Sequence, residues 1–123
     1  MKILAVDDSR TIRDLVDLTL SREGFASVLA EDGQHGLETL DAMDDVPDAI
    51  LTDVNMPRLD GFGFIRAVRD MPRYDGIPIL VLTTESAREL RSKAREAGAT
   101  GWIVKPFDPA RLVGALRTVT GLH

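Results

Sequence analysis

The chain of 123 residues contains no cysteine, one tryptophan and one tyrosine, and aromatic residues make up only 5% of it. The lack of cysteine excludes disulfides and thiolate metal sites. No apolar run approaches the roughly 20 residues that a membrane helix needs, and the N-terminus lacks the apolar stretch and cleavage site of a signal peptide. We therefore expect a cytoplasmic protein that does not contact a membrane.

Basic residues are also scarce, because 15 lysines and arginines face 20 acidic residues and give a net charge of −5. This balance argues against nucleic-acid binding, which usually needs a basic face. Only three of the basic residues are lysines, namely Lys2, Lys93 and Lys105. Hydrophobic residues amount to 44%, enough for one core, and the length predicts a single domain over 1–123 with no effector domain.

Short apolar runs alternate with longer amphipathic stretches along the whole chain. The pattern predicts strands near 2–6, 26–30, 48–53, 77–82 and 100–104, and helices near 10–22, 33–44, 61–71, 85–97 and 108–119. The strands are apolar at successive positions, as in a sheet that is covered on both faces. The expected fold class is therefore α/β, with a parallel sheet between two layers of helices.

Apolar residues at helical spacing predict the buried face of three helices. Ser9 or Asp8 is expected to cap the first of them. The predicted faces are Ile12, Leu15, Val16 and Thr19 on the first helix, Ala87, Leu90, Ala94 and Ala97 on the fourth, and Leu112, Leu116 and Val119 on the fifth.

Charged residues follow three of the predicted strands. Asp7 and Asp8 end the first, Asp53 ends the third, and Lys105 ends the fifth. Ligands bind at the carboxyl ends of strands in open parallel sheets, and three clustered carboxylates would repel one another without a cation between them. Oxygen ligands from few residues suit Mg²⁺, which also binds substrate phosphate. These residues predict a cation and phosphoryl site.

Each of these residues also has a purely structural interpretation. Asp7 and Asp8 are common turn formers and helix caps, and Asp53 could cap the turn that follows it. Lys105 could be a surface lysine, and Thr83 a β-branched strand residue. The functional interpretation depends on their occurring together.

The combined order resembles the receiver domain of bacterial two-component response regulators. It consists of Asp-Asp after strand one, Asp-x-x-Met-Pro after strand three, threonine at the end of strand four and Lys-Pro at the end of strand five. The resemblance covers nearly the whole chain, and the closing Lys105-Pro106-Phe107 is most similar to stand-alone chemotaxis members. It implies a flavodoxin-like sheet of order 2-1-3-4-5, a monomer, and Mg²⁺ as cofactor.

The resemblance also assigns roles to single residues. It makes Asp53 the phosphoacceptor, which forms an acyl phosphate, and gives Mg²⁺ the ligands Asp7, Asp8, Asp53 and the backbone carbonyl of Asn55. Lys105 would pair with a phosphoryl oxygen.

Further roles follow from the same resemblance. Thr83 and Trp102 would form the switch, although Thr84 is an alternative to Thr83 and a packed edge aromatic is an alternative for Trp102. Asn55 and Glu85 would tune dephosphorylation, and Pro106 would follow a cis peptide bond.

A phosphorylation-dependent switch of this kind implies two protein partners. A histidine kinase, expected to be a chemotaxis kinase, would donate the phosphoryl group, and a target would bind the face of the fourth helix, fifth strand and fifth helix. Arg88, Arg91 and Arg95 form either a docking edge there or simply a solvated stripe. His35 and His123 have no partner that the sequence identifies.

Several other functions compete with this one. The domain could be a phosphorelay intermediate that passes phosphate to a histidine protein. A phosphohydrolase with an aspartate nucleophile typically needs a second aspartate two residues on, where this chain has Asn55. A flavin carrier needs a hydroxyl-rich or glycine-rich loop after strand one, where Asp7 and Asp8 would repel phosphate. We expect catalysis only of the domain's own phosphorylation and dephosphorylation.

Overall fold

Strands and helices alternate along the chain in the computed structural model, which describes residues 1–84 and 88–121. The strands are β1 (Lys2–Val6), β2 (Ala26–Ala30), β3 (Ala49–Thr52), β4 (Ile79–Thr83) and β5 (Gly101–Val104). The helices are α1 (Arg10–Arg22), α2 (Gly33–Ala42), α3 (Gly61–Arg69), α4 (Arg88–Ala97) and α5 (Pro109–Thr120), with a 3₁₀ turn at Pro72–Tyr74.

The five strands form one parallel sheet in the order β2-β1-β3-β4-β5. This confirms the predicted doubly wound α/β fold. Buried apolar residues form one core cluster on each face of the sheet. Strands β3 and β4 are buried throughout, whereas β2 and β5 are partly exposed because they lie at the sheet edges. The expectation of strands covered on both faces therefore holds only for the centre of the sheet.

Several predicted element boundaries are wrong by one or two residues, three of them for local reasons. Helix α2 ends before Met43, whose backbone is extended. Helix α3 ends before Asp70, because the residue before Pro72 is disfavoured in the helical region. Strand β4 begins after Pro78, which has no N–H to donate to the ladder.

The predicted buried face of α1 was wrong at one position. Leu15 is 40% exposed, whereas Val16 and Thr19 are buried as predicted and Leu20 is buried in addition. Ser9 is the residue that caps this helix, because its hydroxyl accepts from the Ile12 N–H at 3.3 Å. On α4, Ala94 and Ala97 are buried as predicted, whereas Ala87 lies outside the described residues.

The register of the sheet brings the charged strand ends together. Val6 pairs with Thr52, so Asp7 and Asp53 follow neighbouring strands at the same level. Thr83 pairs with Val104, so Lys105 follows at the same edge.

No helix in the described part of the chain has the length and apolarity that a membrane span requires.

Candidate metal and phosphoryl site

Three aspartates meet at the carboxyl edge of the sheet. Asp7, Asp8 and Asp53 each offer a carboxylate oxygen within 4.8 Å of the others. Asp7 and Asp53 are buried, whereas Asp8 is exposed at the mouth of the site. The Asp53 N–H donates to the Val6 carbonyl at 2.9 Å, which fixes the backbone of Asp53 against β1. The sequence prediction that these aspartates would cluster is therefore correct in its geometry.

Lys105 completes the cluster with its ammonium group. Its Nζ lies 2.6 Å from Asp7 Oδ2 and 3.4 Å from Asp53 Oδ2, and its side chain is only 9% exposed. The Lys105 N–H donates to the Thr83 carbonyl at 2.7 Å, which holds the residue at the end of β5. The peptide bond between Lys105 and Pro106 is cis, as the family resemblance implied.

The site holds more negative than positive charge. Burial raises the pKa of the Asp53 carboxyl above its ordinary value of 3.8, the charge of Asp7 adds to the rise, and Lys105 opposes it. The Val54 N–H donates to Asp53 Oδ1 at 2.7 Å, which also favours the ionised form. Because the pKa of Asp53 is raised on balance, its ionised form lacks sufficient compensation from nearby positive charge. A bound cation would supply that charge and stabilise the carboxylate.

The donor set fits Mg²⁺. All three side-chain donors are carboxylate oxygens, the ligand type that this hard cation prefers, and one of them is open to solvent. Mg²⁺ typically binds through one or two carboxylates and keeps several waters, which the exposed side of the cluster allows. Asp7, Asp8 and Asp53 could therefore hold one magnesium ion.

Two more of the predicted site residues, Thr83 and Asn55, follow or end strands at the same edge. Thr83 is 1% exposed at the end of β4, whereas Thr84 is exposed and lies outside the strand, which favours Thr83 as the switch threonine. Asn55 is exposed in the loop after β3, and its role as a ligand or tuning residue stays a prediction. Glu85 lies outside the described residues.

Trp102 lies on the same face of the sheet as Thr83. Trp102 pairs with Val81 and Val104 pairs with Thr83, so alternation along the strands places all four on one side. The Trp102 ring packs against the core cluster of that face. Its indole N–H is buried and has no hydrogen-bond partner among residues 1–84 and 88–121.

A groove of about 640 Å³ borders Trp102 on the outer side of β5. The guanidinium of Arg91 lies 6.0 Å from the centre of the Trp102 ring, within reach of a cation–π contact. The groove lies between α4 and α5, and its other lining residues are Ile103, Val104, Pro106, Phe107, Asp108, Arg111 and Ala115.

Sequence reasoning missed three charged side chains near the site. Arg13 donates to the Asp7 carbonyl at 2.7 Å, and Arg58 forms an ion pair with the buried Asp32. No spacing rule pairs these residues, because their partners come from other elements. His35 does have a partner, since its Nδ1 accepts from the Glu31 N–H at 3.0 Å. His123 lies outside the described residues.

The sheet order and the aspartate cluster at its carboxyl edge are the features of a receiver domain. The family model for the response regulator receiver domain matches residues 3–117, so the chain belongs to this family. This confirms the assignment that the sequence motifs suggested.

Several similar proteins are chemotaxis proteins. It is 42% identical over 124 residues to the chemotaxis protein CheY1 of Helicobacter pylori (strain ATCC 700392 / 26695), covering 100% of this chain and 99% of that protein. The structure of the chemotaxis protein CheY4 of Vibrio cholerae matches with a TM-score of 0.90 and 44% identity, over 96% of this chain and 97% of that one.

A third similar structure contains a metal. The receiver domain of the sensor histidine kinase PA1611 from Pseudomonas aeruginosa PAO1 has a magnesium ion coordinated in its active site cleft. It matches with a TM-score of 0.89 and 28% identity, over 98% of this chain and 97% of that one.

Proposed function

We propose that this domain is a chemotaxis signalling switch, which accepts a phosphoryl group on Asp53 from a histidine kinase and then binds a target protein. The observation that carries the proposal is the cluster of Asp7, Asp8 and Asp53 within 4.8 Å, with Lys105 against it. The relatives support it, because several that resemble this chain over nearly its whole length are chemotaxis proteins. They are signalling proteins, and we propose catalysis only of the domain's own phosphorylation and dephosphorylation.

The arrangement of Asp53 suits nucleophilic attack on phosphorus. Its Oδ1 accepts from the Val54 N–H, which leaves Oδ2 to face Lys105 at 3.4 Å. In the proposed reaction, Oδ2 forms the new bond to phosphorus while the bond from phosphorus to the donor imidazole nitrogen breaks, and the donor histidine leaves as neutral imidazole after protonation. The product is an acyl phosphate on Asp53.

The charged groups around Asp53 would stabilise the transferred phosphoryl group. Bound Mg²⁺, with Asp7, Asp8, Asp53 and the Asn55 carbonyl as its proposed protein ligands, would offset the negative charge on the phosphoryl oxygens. Lys105 would exchange its contact with Asp7 for one with a phosphoryl oxygen. The magnesium ion in the Pseudomonas aeruginosa receiver domain supports the choice of metal.

We place the output of the switch on the face formed by α4, β5 and α5. The Thr83 hydroxyl would move toward the phosphoryl group and donate a hydrogen bond to it. This movement would change the packing beside Trp102. The groove next to Trp102 is lined by Arg91 and Arg111, two cations on a protein whose net charge is −5. A target segment with acidic and apolar side chains would fit this groove best.

Phosphotransfer from a purified chemotaxis histidine kinase tests the proposal. The kinase is first labelled with radioactive ATP, freed of nucleotide and mixed with the domain and Mg²⁺. Label should pass to the wild type and to Asp41→Asn, which alters an exposed carboxylate, but not to Asp53→Asn. Equal labelling of all three proteins would contradict the proposal.

A second experiment tests the docking face. Beryllium fluoride with Mg²⁺ should strengthen binding of the cognate target peptide to the wild type. Arg91→Ala and Arg111→Ala should weaken that binding, whereas Arg22→Ala, on the exposed side of α1, should leave it unchanged. If the target binds all four proteins equally, it uses another face.

A further inference from the structure

The loop between β3 and α3 is tied to the start of α2 by one ion pair. Arg58 donates from Nε to Asp32 Oδ2 at 2.9 Å and from its terminal nitrogen to Asp32 Oδ1 at 3.0 Å. Two parallel bonds between a guanidinium and a carboxylate fix both distance and orientation, which a single contact does not. The pair joins residues that are 26 positions apart in the chain.

Asp32 is a rigid anchor for this pair. Its side chain is 8% exposed, and Oδ1 also accepts from the His35 N–H at 2.8 Å, so the same carboxylate caps α2. The hydrogen bonds from Arg58 hold the pKa of Asp32 below its ordinary value, against the opposing effect of burial. Asp32 is therefore ionised and fixed at neutral pH.

A backbone contact beside the ion pair holds the two loops close together. The Gly33 N–H donates to the Leu59 carbonyl at 3.2 Å. A Cβ at Gly33 would lie 2.4 Å from that same oxygen, so only glycine allows the approach. The loop after Asp53 is thus held against α2 through both Arg58 and Leu59.

The backbone of Arg58 is unfavourable for a residue with a side chain. Its φ is 66°, in the left-handed region. The Leu59 N–H donates to the Pro57 carbonyl at 2.8 Å and closes a three-residue turn around Arg58. Turns of this kind with positive φ at the central residue are rare and strained. Glycine would suit this backbone better, so it offers a substitution that removes the side chain without adding backbone strain.

The loop held in this way contains Asn55. It leaves β3 at Asp53 and returns at Gly61, whose N–H donates to the Val54 carbonyl at 2.8 Å. Asp60 caps α3 by accepting from the Gly63 N–H at 2.8 Å. Both ends of the loop are therefore fixed by local bonds, Met56 and Leu59 pack against the core, and Arg58 adds an ion pair from the middle of the loop to Asp32.

We infer that Arg58 and Asp32 are positioning residues that hold the Asn55 carbonyl in place for the cation. The inference rests on the proposed function, because it takes that carbonyl as a ligand. Neither side chain touches the cation or the phosphoryl group, and both act through the loop. Partners that hydrogen-bond directly to metal ligands typically change metal affinity by about 10–100-fold when they are lost, so an effect that acts through the loop should fall at the low end of this range.

The sign of the effect separates positioning from simple electrostatics. Removing the positive charge of Arg58 should leave Mg²⁺ binding unchanged or strengthen it if charge alone matters. Loss of positioning should weaken it. The two explanations therefore predict different outcomes for the same variant.

Arg58→Gly distinguishes the two explanations. It removes the side chain, and because glycine adopts the left-handed backbone conformation without strain, the fold should survive. Isothermal titration with Mg²⁺ should show an affinity about 10-fold weaker than that of the wild type. Arg58→Lys keeps the charge but loses the two parallel bonds, so it should also bind Mg²⁺ more weakly. Arg10→Ala removes a cation from the exposed start of α1 and should bind at least as tightly as the wild type.

Labelling with acetyl phosphate provides a second readout. Arg58→Gly should need more Mg²⁺ for half-maximal labelling but should reach the wild-type rate at saturation, because Asp53 itself is unchanged. If the wild type binds Mg²⁺ and Arg58→Gly binds it equally or more tightly, the positioning role is wrong and the proposed function stands. If the wild type binds no Mg²⁺, both fail.

Discussion

Lys105 lies closer to Asp7 than to Asp53, at 2.6 Å against 3.4 Å. Its nearer partner is therefore a proposed metal ligand and not the proposed phosphoacceptor. The Lys105 side chain is only 9% exposed, so its ammonium group is a buried counterion for Asp7 and Asp53. Mg²⁺ and Lys105 should then compete for the same carboxylate.

This competition predicts that Lys105→Met strengthens Mg²⁺ binding several-fold, because the variant removes the rival cation and leaves the three carboxylates in place. Isothermal titration measures the change, and Lys93→Met, on the exposed side of α4, should bind as the wild type does. Weaker Mg²⁺ binding by Lys105→Met would show that the lysine organises the ligands and does not compete.

The raised pKa of Asp53 predicts that Asp53→Asn is more stable than the wild type in EDTA at neutral pH. Because the pKa of Asp53 is higher in the folded state than in the unfolded state, the folded protein binds more protons at a pH between the two values. The wild type therefore loses stability as pH rises from the unfolded pKa through the folded pKa. At a pH near 3.8, the ordinary pKa of an aspartate, the two proteins should differ little in melting temperature. At a pH above the raised pKa of Asp53, the melting temperature of Asp53→Asn should be a few degrees higher than that of the wild type.

The control for this measurement is Asp41→Asn, which alters an exposed carboxylate. It should not reproduce the pH-dependent gain. A melting temperature for Asp53→Asn at or below that of the wild type across the whole range would show that Lys105 outweighs burial and the charge of Asp7.

Two glycines form a matched pair for a stability test. A Cβ at Gly61 would lie 2.0 Å from the Asp53 carbonyl oxygen, whereas a Cβ at Gly114 would meet nothing within 4 Å. Urea denaturation should show Gly61→Ala destabilised by about 1–3 kcal/mol through overpacking, with loss of labelling because Asp53 is displaced. Gly114→Ala should gain about 0.5–1 kcal/mol from helix propensity. Equal effects of the two changes would contradict the described geometry.

The fluorescence of Trp102 reports the switch, because it is the sole tryptophan. At saturating Mg²⁺, beryllium fluoride should change the emission of the wild type, and Thr83→Ala should lose most of that change while Asp53 and the metal ligands remain intact. An equal change in both proteins would mean that Trp102 is a passive edge residue or that Thr83 is not its partner.

Much of the fold could be predicted from sequence because the signals are local. Continuous apolar runs indicate central strands, and the charged residues after them fall at one edge of a parallel sheet. Leu15 was misassigned because helical spacing does not define where a buried face ends. The pair of Arg58 and Asp32 could not be predicted, since it depends on how two loops meet. The fourth helix is described only from Arg88, so its predicted start is untested.

Labelling with acetyl phosphate and Mg²⁺, followed by intact-mass and peptide mass spectrometry, tests the central claim most directly. The wild type should gain one phosphoryl group, located on Asp53 and lost on treatment with hydroxylamine, as an acyl phosphate is. Asp53→Asn should gain none. A wild type that stays unlabelled, or an Asp53→Asn variant that is labelled normally at another residue, would contradict the account.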